Sequence, residues 1–439
     1  MKDSLKKNSA FAIIVAVGLA AGLGYLVMSG LLSDEGFSSG GSDNLRSGFL
    51  FSDVEREENP DISNEDFSSL VGGNTEFATD LYQEIRDENG NLFYSPYSIS
   101  LALAMTYAGA EGDTASQMAD TLNFDLDDHI LHRAFNRLDQ ELEEKASDDN
   151  FSLEIANSFW GQENYHFENS FLDVLALNYG AGIRLLDFFS RPEESRLTIN
   201  EWVENKTEER IKDLIPPGAI DSLTRAVLAN AIYFNASWMY PFEESDTAKE
   251  TFTLLNGEML EADMMSQTET FQYAEGEDYQ VVELPYQGRN DMSMLLIKPD
   301  MDRFSEFDRN LDRAVLDEIV DELGNRSVSL KMPKFEYEHE LGLGDTLSDM
   351  GMPVAFGPDA DFSGMTGDRS LYIDDVLHKA FVSVDEKGTE AAAATAVIMR
   401  EVSAPKPAEI ALDSPFIFLI RDRDTETILF IGRVMNPNA

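Results

Sequence analysis

The chain has 439 residues and carries 82 Asp plus Glu against 33 Lys plus Arg, a formal net charge of −49 that excludes a nucleic-acid binder needing a basic face. At 43% hydrophobic and 10% aromatic, it has enough apolar surface for a large core and is not a chain disordered throughout. There is no Cys, which removes disulfides, thiolate metal sites, thiol nucleophiles and cysteine lipidation.

A surface this acidic repels itself until salt shortens the screening length to a few ångström near 1 M. Only 13 of the 33 basic residues are Lys, and the composition suits a high-salt environment; an ordinary acidic protein is the alternative. Lys2, Lys6 and Lys7 precede a run from Ser9 to Leu32 without a charged residue, which as a helix spans about 36 Å. Positive charge before it and Asp34 and Glu35 after it predict a membrane anchor with the rest of the chain on the extracellular face. A cleaved secretory signal competes with that reading, but no persuasive small-x-small cleavage site is present. Residues 1–32 are thus expected to be a signal-anchor or signal segment, and residues 33–66, rich in Ser, Gly, Asp and Glu, a flexible linker. Residues 67–439 show no repeat and no second linker, and are expected to form one domain.

Within that domain Phe77, Leu81 and Ile85 recur every fourth residue, as do Ile199 and Val203 with Trp202 beside them. They predict amphipathic helices ending near Gly90 and near Pro216 and Pro217. Residues Leu153 to Trp160, Val227 to Phe234, Val281 to Pro285, Met292 to Ile297, Val328 to Met332, Phe416 to Ile420 and Ile428 to Val434 are β-branched or aromatic runs between turn residues, and predict strands. Gln287 to Asn290 reads as a hairpin turn. Hairpins mixed with long helices favour an α+β architecture over alternating parallel units.

Enzymatic signatures are missing. No pair among His129, His132, His166, His339 and His378 has the spacing of a zinc helix motif, so no metal is expected. There is no Gly-x-Ser-x-Gly elbow and no phosphate loop, and so no cofactor is expected and no catalytic residue is assigned. Asn150, Asn205, Asn235 and Asn325 begin Asn-x-Ser/Thr triplets, which matter only in an exported domain.

The unusual stretch runs from Asp385 to Met399. Read locally, Thr389 caps a helix and Ala391, Ala392, Ala393 and Ala394 propagate it, with Glu390 favourably placed at its amino end. Read with period two, Thr389, Ala391, Ala393, Thr395, Val397 and Met399 form one uncharged and mostly small face, which a sheet can bury. Gly388 stands where such a strand would hinge. After it, Arg400 to Pro407 contains two prolines and no burial pattern, and reads as an exposed tip that proteases cut.

From about Phe67 onward the chain resembles the serpins. The hinge just described is similar to their reactive-loop signature, and five further stretches agree in order: Asn91 to Ser100, Leu228 to Phe234 leading to Trp238, Met332 to Phe335, Leu377 to Ala380, and Ser414 to Phe418. The resemblance implies a fold of about nine helices and three β-sheets with an exposed reactive loop. It also implies a suicide-substrate mechanism: a serine protease attacks the loop, the cut loop inserts into the large sheet as a new strand, and the acyl-enzyme is trapped. Glu386, Gly388, Thr389, Glu390, Ala391, Ala392, Ala393, Ala394 and Thr395 would be the hinge. Ser95, Ser98, Asn230 and His378 look like the polar cluster beneath the opening strands, and Trp238, Lys334 and Glu386 like the group where insertion starts.

The family's usual loop length puts the reactive bond at Val402-Ser403, which suits an elastase-like or subtilisin-like protease; Arg400-Glu401 would instead predict a trypsin-like one. Asp125 to Asp149 carries only Arg133, Arg137 and Lys145 against many acids, so no polyanion activator is expected, and the chain is expected to act as a monomer. A non-inhibitory member acting as a binding or chaperone-like protein is the alternative.

Overall fold

The structure is a computed structural model that describes residues 45–46, 48–86, 90–146, 151–288, 292–389 and 406–439. From the amino end the elements are β1 (Leu45–Arg46), β2 (Phe49–Leu50), α1 (Asn64–Ile85), β3 (Leu92–Tyr94), α2 (Pro96–Tyr107), α3 (Gly112–Leu122) and α4 (Asp128–Lys145). Next come β4 (Phe151–Gln162), α5 (Asn169–Tyr179), β5 (Ile183–Leu186), α6 (Pro192–Lys206), β6 (Ala226–Ser237), β7 (Ala248–Thr253), β8 (Met259–Glu275), β9 (Tyr279–Pro285) and β10 (Met292–Pro299). The chain finishes with α7 (Phe304–Asn310), α8 (Arg313–Asp321), β11 (Gly324–Pro333), β12 (Phe335–Gly342), α9 (Gly344–Met350), α10 (Ser363–Thr366), β13 (Leu377–Val384), β14 (Gly388–Thr389), β15 (Ala408–Ala411), β16 (Phe416–Asp422) and β17 (Ile428–Val434).

The ten α-helices among the described residues are close to the nine expected, and the fold is α+β. The strands form two hydrogen-bonded networks. One has eight strands in the order β1-β2-β5-β4-β6-β14-β13-β12, and the other runs β15-β11-β8-β9-β10-β16-β17-β3 with β7 on β8. The second network absorbs what a three-sheet description separates, because β8 pairs successively with β7, β11 and β9 along its length.

Local signals account for the helices. The Ser63 hydroxyl accepts from the Asp66 amide at the start of α1, and Glu65 and Asp66 sit favourably in its first turn. The row Phe77, Leu81 and Ile85 is buried in the main core. Helix α6 begins with Pro192 at its first turn and buries Ile199 and Val203, as their spacing predicts. It stops at Lys206, ten residues before Pro216: the Thr207 hydroxyl bonds back to Val203, and Glu208 and Glu209 take left-handed backbone angles.

A second, smaller core lies under α6 on one face of the eight-stranded network, hereafter the large sheet. Ile199, Val203, Ile211, Leu214 and Ile215 pack there on Ala156 and Trp160 of β4 and Ala229 and Ala231 of β6, with Leu377 and Phe381 of β13 against them. The α6 region therefore covers both sides of the β6–β13 boundary.

The expected flexible linker is corrected for its carboxy-terminal part. Residues 48–62 pack on the sheet edge and on α4 and α5: β2 pairs with β5, the Glu57 amide donates to the Leu177 carbonyl, and Arg56 bridges Asp139 and Glu143. The compact unit accordingly starts at Asn44. Composition concealed this because the few apolar and basic residues of the segment find partners far away in sequence. No helix among the described residues is long and apolar enough to cross a membrane, and the candidate span 9–32 lies outside them.

Candidate functional site: a partly opened sheet

Strands β6 and β13 run parallel at the centre of the large sheet, yet they pair directly at only three positions: Asn230 with His378, Ala231 with Lys379, and Ile232 with Ala380. Beyond these the two strands part. Into the opening fits β14, where Gly388 and Thr389 pair antiparallel with Ser237 and Ala236 of β6, and Thr389 also faces Val384 of β13. Gly388, the predicted hinge, and Thr389, the first residue of the predicted insertable face, thus form a two-residue strand in the sheet. The other hinge residues, Glu390 to Thr395, and the reactive-bond candidates Val402, Ser403 and Arg400 lie outside the described residues.

A polar cluster sits at the closed end. The Ser95 amide donates to His378 Nε2 at 3.1 Å, so a neutral ring carries its proton on Nδ1, which donates to Asn230 Oδ1 at 2.5 Å. Asn230 Nδ2 in turn reaches the carbonyl and hydroxyl of Ser98, both at 2.7 Å, and Asn157 Oδ1 at 2.7 Å. Burial pushes His378 down to about 3, assisted by the nearby His339, so the ring is neutral at physiological pH. The four residues singled out from sequence meet here. Asn157, paired with Asn230 across β4 and β6, was missed, because nothing local separates it from an ordinary strand polar residue.

At the open end the chain between β13 and β14 is tied down by its backbone and side chains. The Trp238 indole N–H donates to the Asp385 carbonyl at 3.0 Å, the Trp238 amide to the Lys387 carbonyl at 2.8 Å, and the Phe242 amide to the Glu386 carbonyl at 2.8 Å. Glu386 accepts from Lys334 Nζ at 2.7 Å and from the Thr247 hydroxyl at 2.8 Å. Partial burial disfavours both charges, but these bonds prevail, holding the Glu386 carboxyl below its ordinary range and the Lys334 ammonium above it. Trp238 is fully buried and stacks on Tyr286 with ring centroids 4.6 Å apart and planes 9° from parallel. Trp238, Lys334 and Glu386 therefore lie together at this end of the opening; Tyr286, Thr247 and Phe242 are additions that only the fold brings to this place.

One further bond crosses the boundary from above. Lys379, on β13 and almost fully buried, donates to the carbonyl of Lys212 in the segment that follows α6, 3.1 Å away, and faces Glu338 and Glu340 of β12. No described group of His, Asp and Glu is arranged to hold a metal ion.

Residues 72–437 match the family model described as serpin (serine protease inhibitor). An uncharacterised serpin-like protein of Thermococcus kodakarensis is 41% identical over 372 residues, covering 84% of this chain and 86% of that protein. Mouse antithrombin-III is 39% identical over 398 residues, covering 88% and 85%. Among solved structures, uncleaved ovalbumin superposes with a TM-score of 0.75 at 28% identity, covering 84% of this chain and all of that one.

Proposed function

The chain belongs to the serpin (serine protease inhibitor) family, and we propose that it is a suicide-substrate inhibitor of serine proteases whose cleaved loop inserts between β6 and β13. The observation that carries this reading is the placement of Gly388 and Thr389 as a two-residue strand in the opening between them. Insertion extends a ladder that has already begun, and Thr389 is the first of the small, uncharged alternate residues that the interior accepts.

The target supplies the chemistry. Its serine attacks the reactive bond and forms an acyl-enzyme in its own oxyanion hole; this chain contributes no catalytic group. Once the bond is cut, the loop from Glu390 onward is free to follow Thr389. It must split the three remaining β6–β13 pairs and the Asn230–His378 bond. A strand of some ten residues gains about 1 kcal/mol net per ladder bond, on the order of 10 kcal/mol, which exceeds the cost of those few contacts. Trapping succeeds where insertion outruns deacylation.

The same reading places the reactive bond at Val402-Ser403 and the target among elastase-like or subtilisin-like proteases. It places the molecule outside the cell in high salt, as a monomer held to the membrane through residues 9–32. Polyanion activation has little support: Arg133 is paired with Glu57, Arg137 with Glu141, and Lys145 with Asp422 and Asp424. The test mixes the protein with a panel of serine proteases in high salt and looks for a denaturant-resistant adduct. Rapid loop cleavage by every protease with no adduct would favour a non-inhibitory binding role.

A further inference from the structure

Arg184 is held by three aromatic rings and by nothing else among the described residues. Its guanidinium lies 4.6 Å from the centroid of Phe49, 4.9 Å from that of Trp202 and 5.3 Å from that of Trp160. Phe49 is its cross-strand partner on β2 and Trp160 its partner on β4, so the three form one row across adjacent strands. Trp202 comes from α6 and meets Trp160 edge-on, with centroids 5.7 Å apart. Burial holds the Arg184 guanidinium below its ordinary range, with no carboxylate to oppose it. A cation enclosed by ring faces keeps its interaction in high salt, where exposed ion pairs fade.

The cage ties one half of the sheet to the helix that leads into the cover of the opening. Strands β5 and β4 belong to the half-sheet that carries β6, and α6 heads the cover spanning the β6–β13 boundary. The amino-terminal segment closes the cage through Phe49 and is itself anchored to the helices: Arg56 reaches Asn136 and Asp139 of α4, and Arg133 pairs with Glu57. The sequence is fitted to this docking. A Cβ on Gly182 would sit 2.6 Å from the Phe51 ring and 2.7 Å from the Leu50 carbonyl, and one on Gly180 would meet the Arg56 stem at 3.0 Å.

Building on the inhibitory reading above, we propose that residues 48–62 and the Arg184 cage form an intramolecular clamp that pins the edge of the large sheet to α4, α5 and α6. It sets how slowly the uncut loop inserts on its own. The clamp resists sliding of the half-sheet β5-β4-β6, the motion that widens the gap beneath Thr389.

The test uses the full chain with Phe49→Ala, which opens the cage, and Arg184→Lys, which keeps the charge and removes the planar stacking. Uncleaved proteins are incubated in high salt below their unfolding temperature and sampled for conversion to a form that resists concentrated urea. Phe49→Ala is expected to convert faster than the parent by about fivefold or more, with Arg184→Lys also accelerated. Variants that unfold at lower urea yet convert at the parent's rate, or not at all, overturn the clamp and leave the segment a structural brace. A parent protein that gains no urea resistance even when its loop is cleaved overturns the inhibitory reading itself.

Discussion

Tyr286 and Thr389 meet hydroxyl to hydroxyl at 2.7 Å with both side chains buried, although 103 residues separate them in sequence. Burial raises the Tyr286 phenol above its ordinary range, so it stays protonated and available to this bond. Tyr286→Phe keeps the stack on Trp238 and removes the bond. Unfolding in urea is expected to show a loss of about 1–2 kcal/mol, the cost of one buried hydrogen bond and an orphaned Thr389 hydroxyl.

A charge at the same point acts on insertion. Thr389 has 1% of its surface exposed, so Thr389→Arg forces a guanidinium out of the sheet and blocks the first step of strand extension. The variant is expected to be cleaved at its loop as fast as the parent but to leave at least about tenfold less adduct on denaturing gels, which corresponds to roughly 1.4 kcal/mol on the insertion barrier. An unchanged adduct yield would falsify the insertion site.

The buried histidines predict a pH dependence with a definite sign. His378 is held down to about 3 and His132 to about 4, each first by burial, while the unfolded chain takes its proton near 6.5. Both contribute stability that is fully present above 6.5 and is lost as the pH falls, by about 1.4 kcal/mol per unit for each histidine. Carboxyls lowered by partners, such as Glu386 and Asp361, lose their contributions only below about 4.5, but burial raises the Asp139 and Glu143 carboxyls, so the histidine contribution between pH 6.5 and 4.5 is read as the difference between the parent and a histidine variant. At fixed high salt, His378→Asn is expected to reduce the slope of urea stability against pH by up to about 1.4 kcal/mol per unit in this window, the contribution of one such group.

The reactive bond is open to direct measurement. Mass spectrometry of the carboxy-terminal fragment released by a trapped protease is expected to begin at Ser403. A fragment beginning at Glu401 would move specificity to Arg400 and to trypsin-like targets.

Much of this site is legible in the sequence because its signals are local. The uncharged alternate residues from Thr389 show period two, and the strand position of Asn230 follows from the apolar run Val227 to Phe234 around it, whereas His378 is placed only through the family resemblance. Tyr286, Asn157 and the cage of Phe49, Trp160, Arg184 and Trp202 were not legible. Each acts through partners on other strands or helices, and only the register β2-β5-β4-β6 brings them together. Residues 48–62 illustrate the limit most clearly. Their composition reads as a linker, yet Phe49, Phe51 and Arg56 fit a sheet edge and two glycines more than a hundred residues away. The early end of α6 has a similar cause: Thr207 bonds back to Val203 and the chain turns to cover β13, a demand of the second core that helix periodicity does not contain.

The measurement that bears most directly on the central claim is thermal unfolding of intact and loop-cleaved protein at the same high salt. If three β6–β13 pairs hold shut a sheet that gains a whole strand on cleavage, the cleaved form should unfold at a temperature higher by about ten degrees or more, since about 10 kcal/mol is at stake and a domain of this size shifts by about 1 °C per kcal/mol. Equal melting temperatures for the two forms would contradict the account.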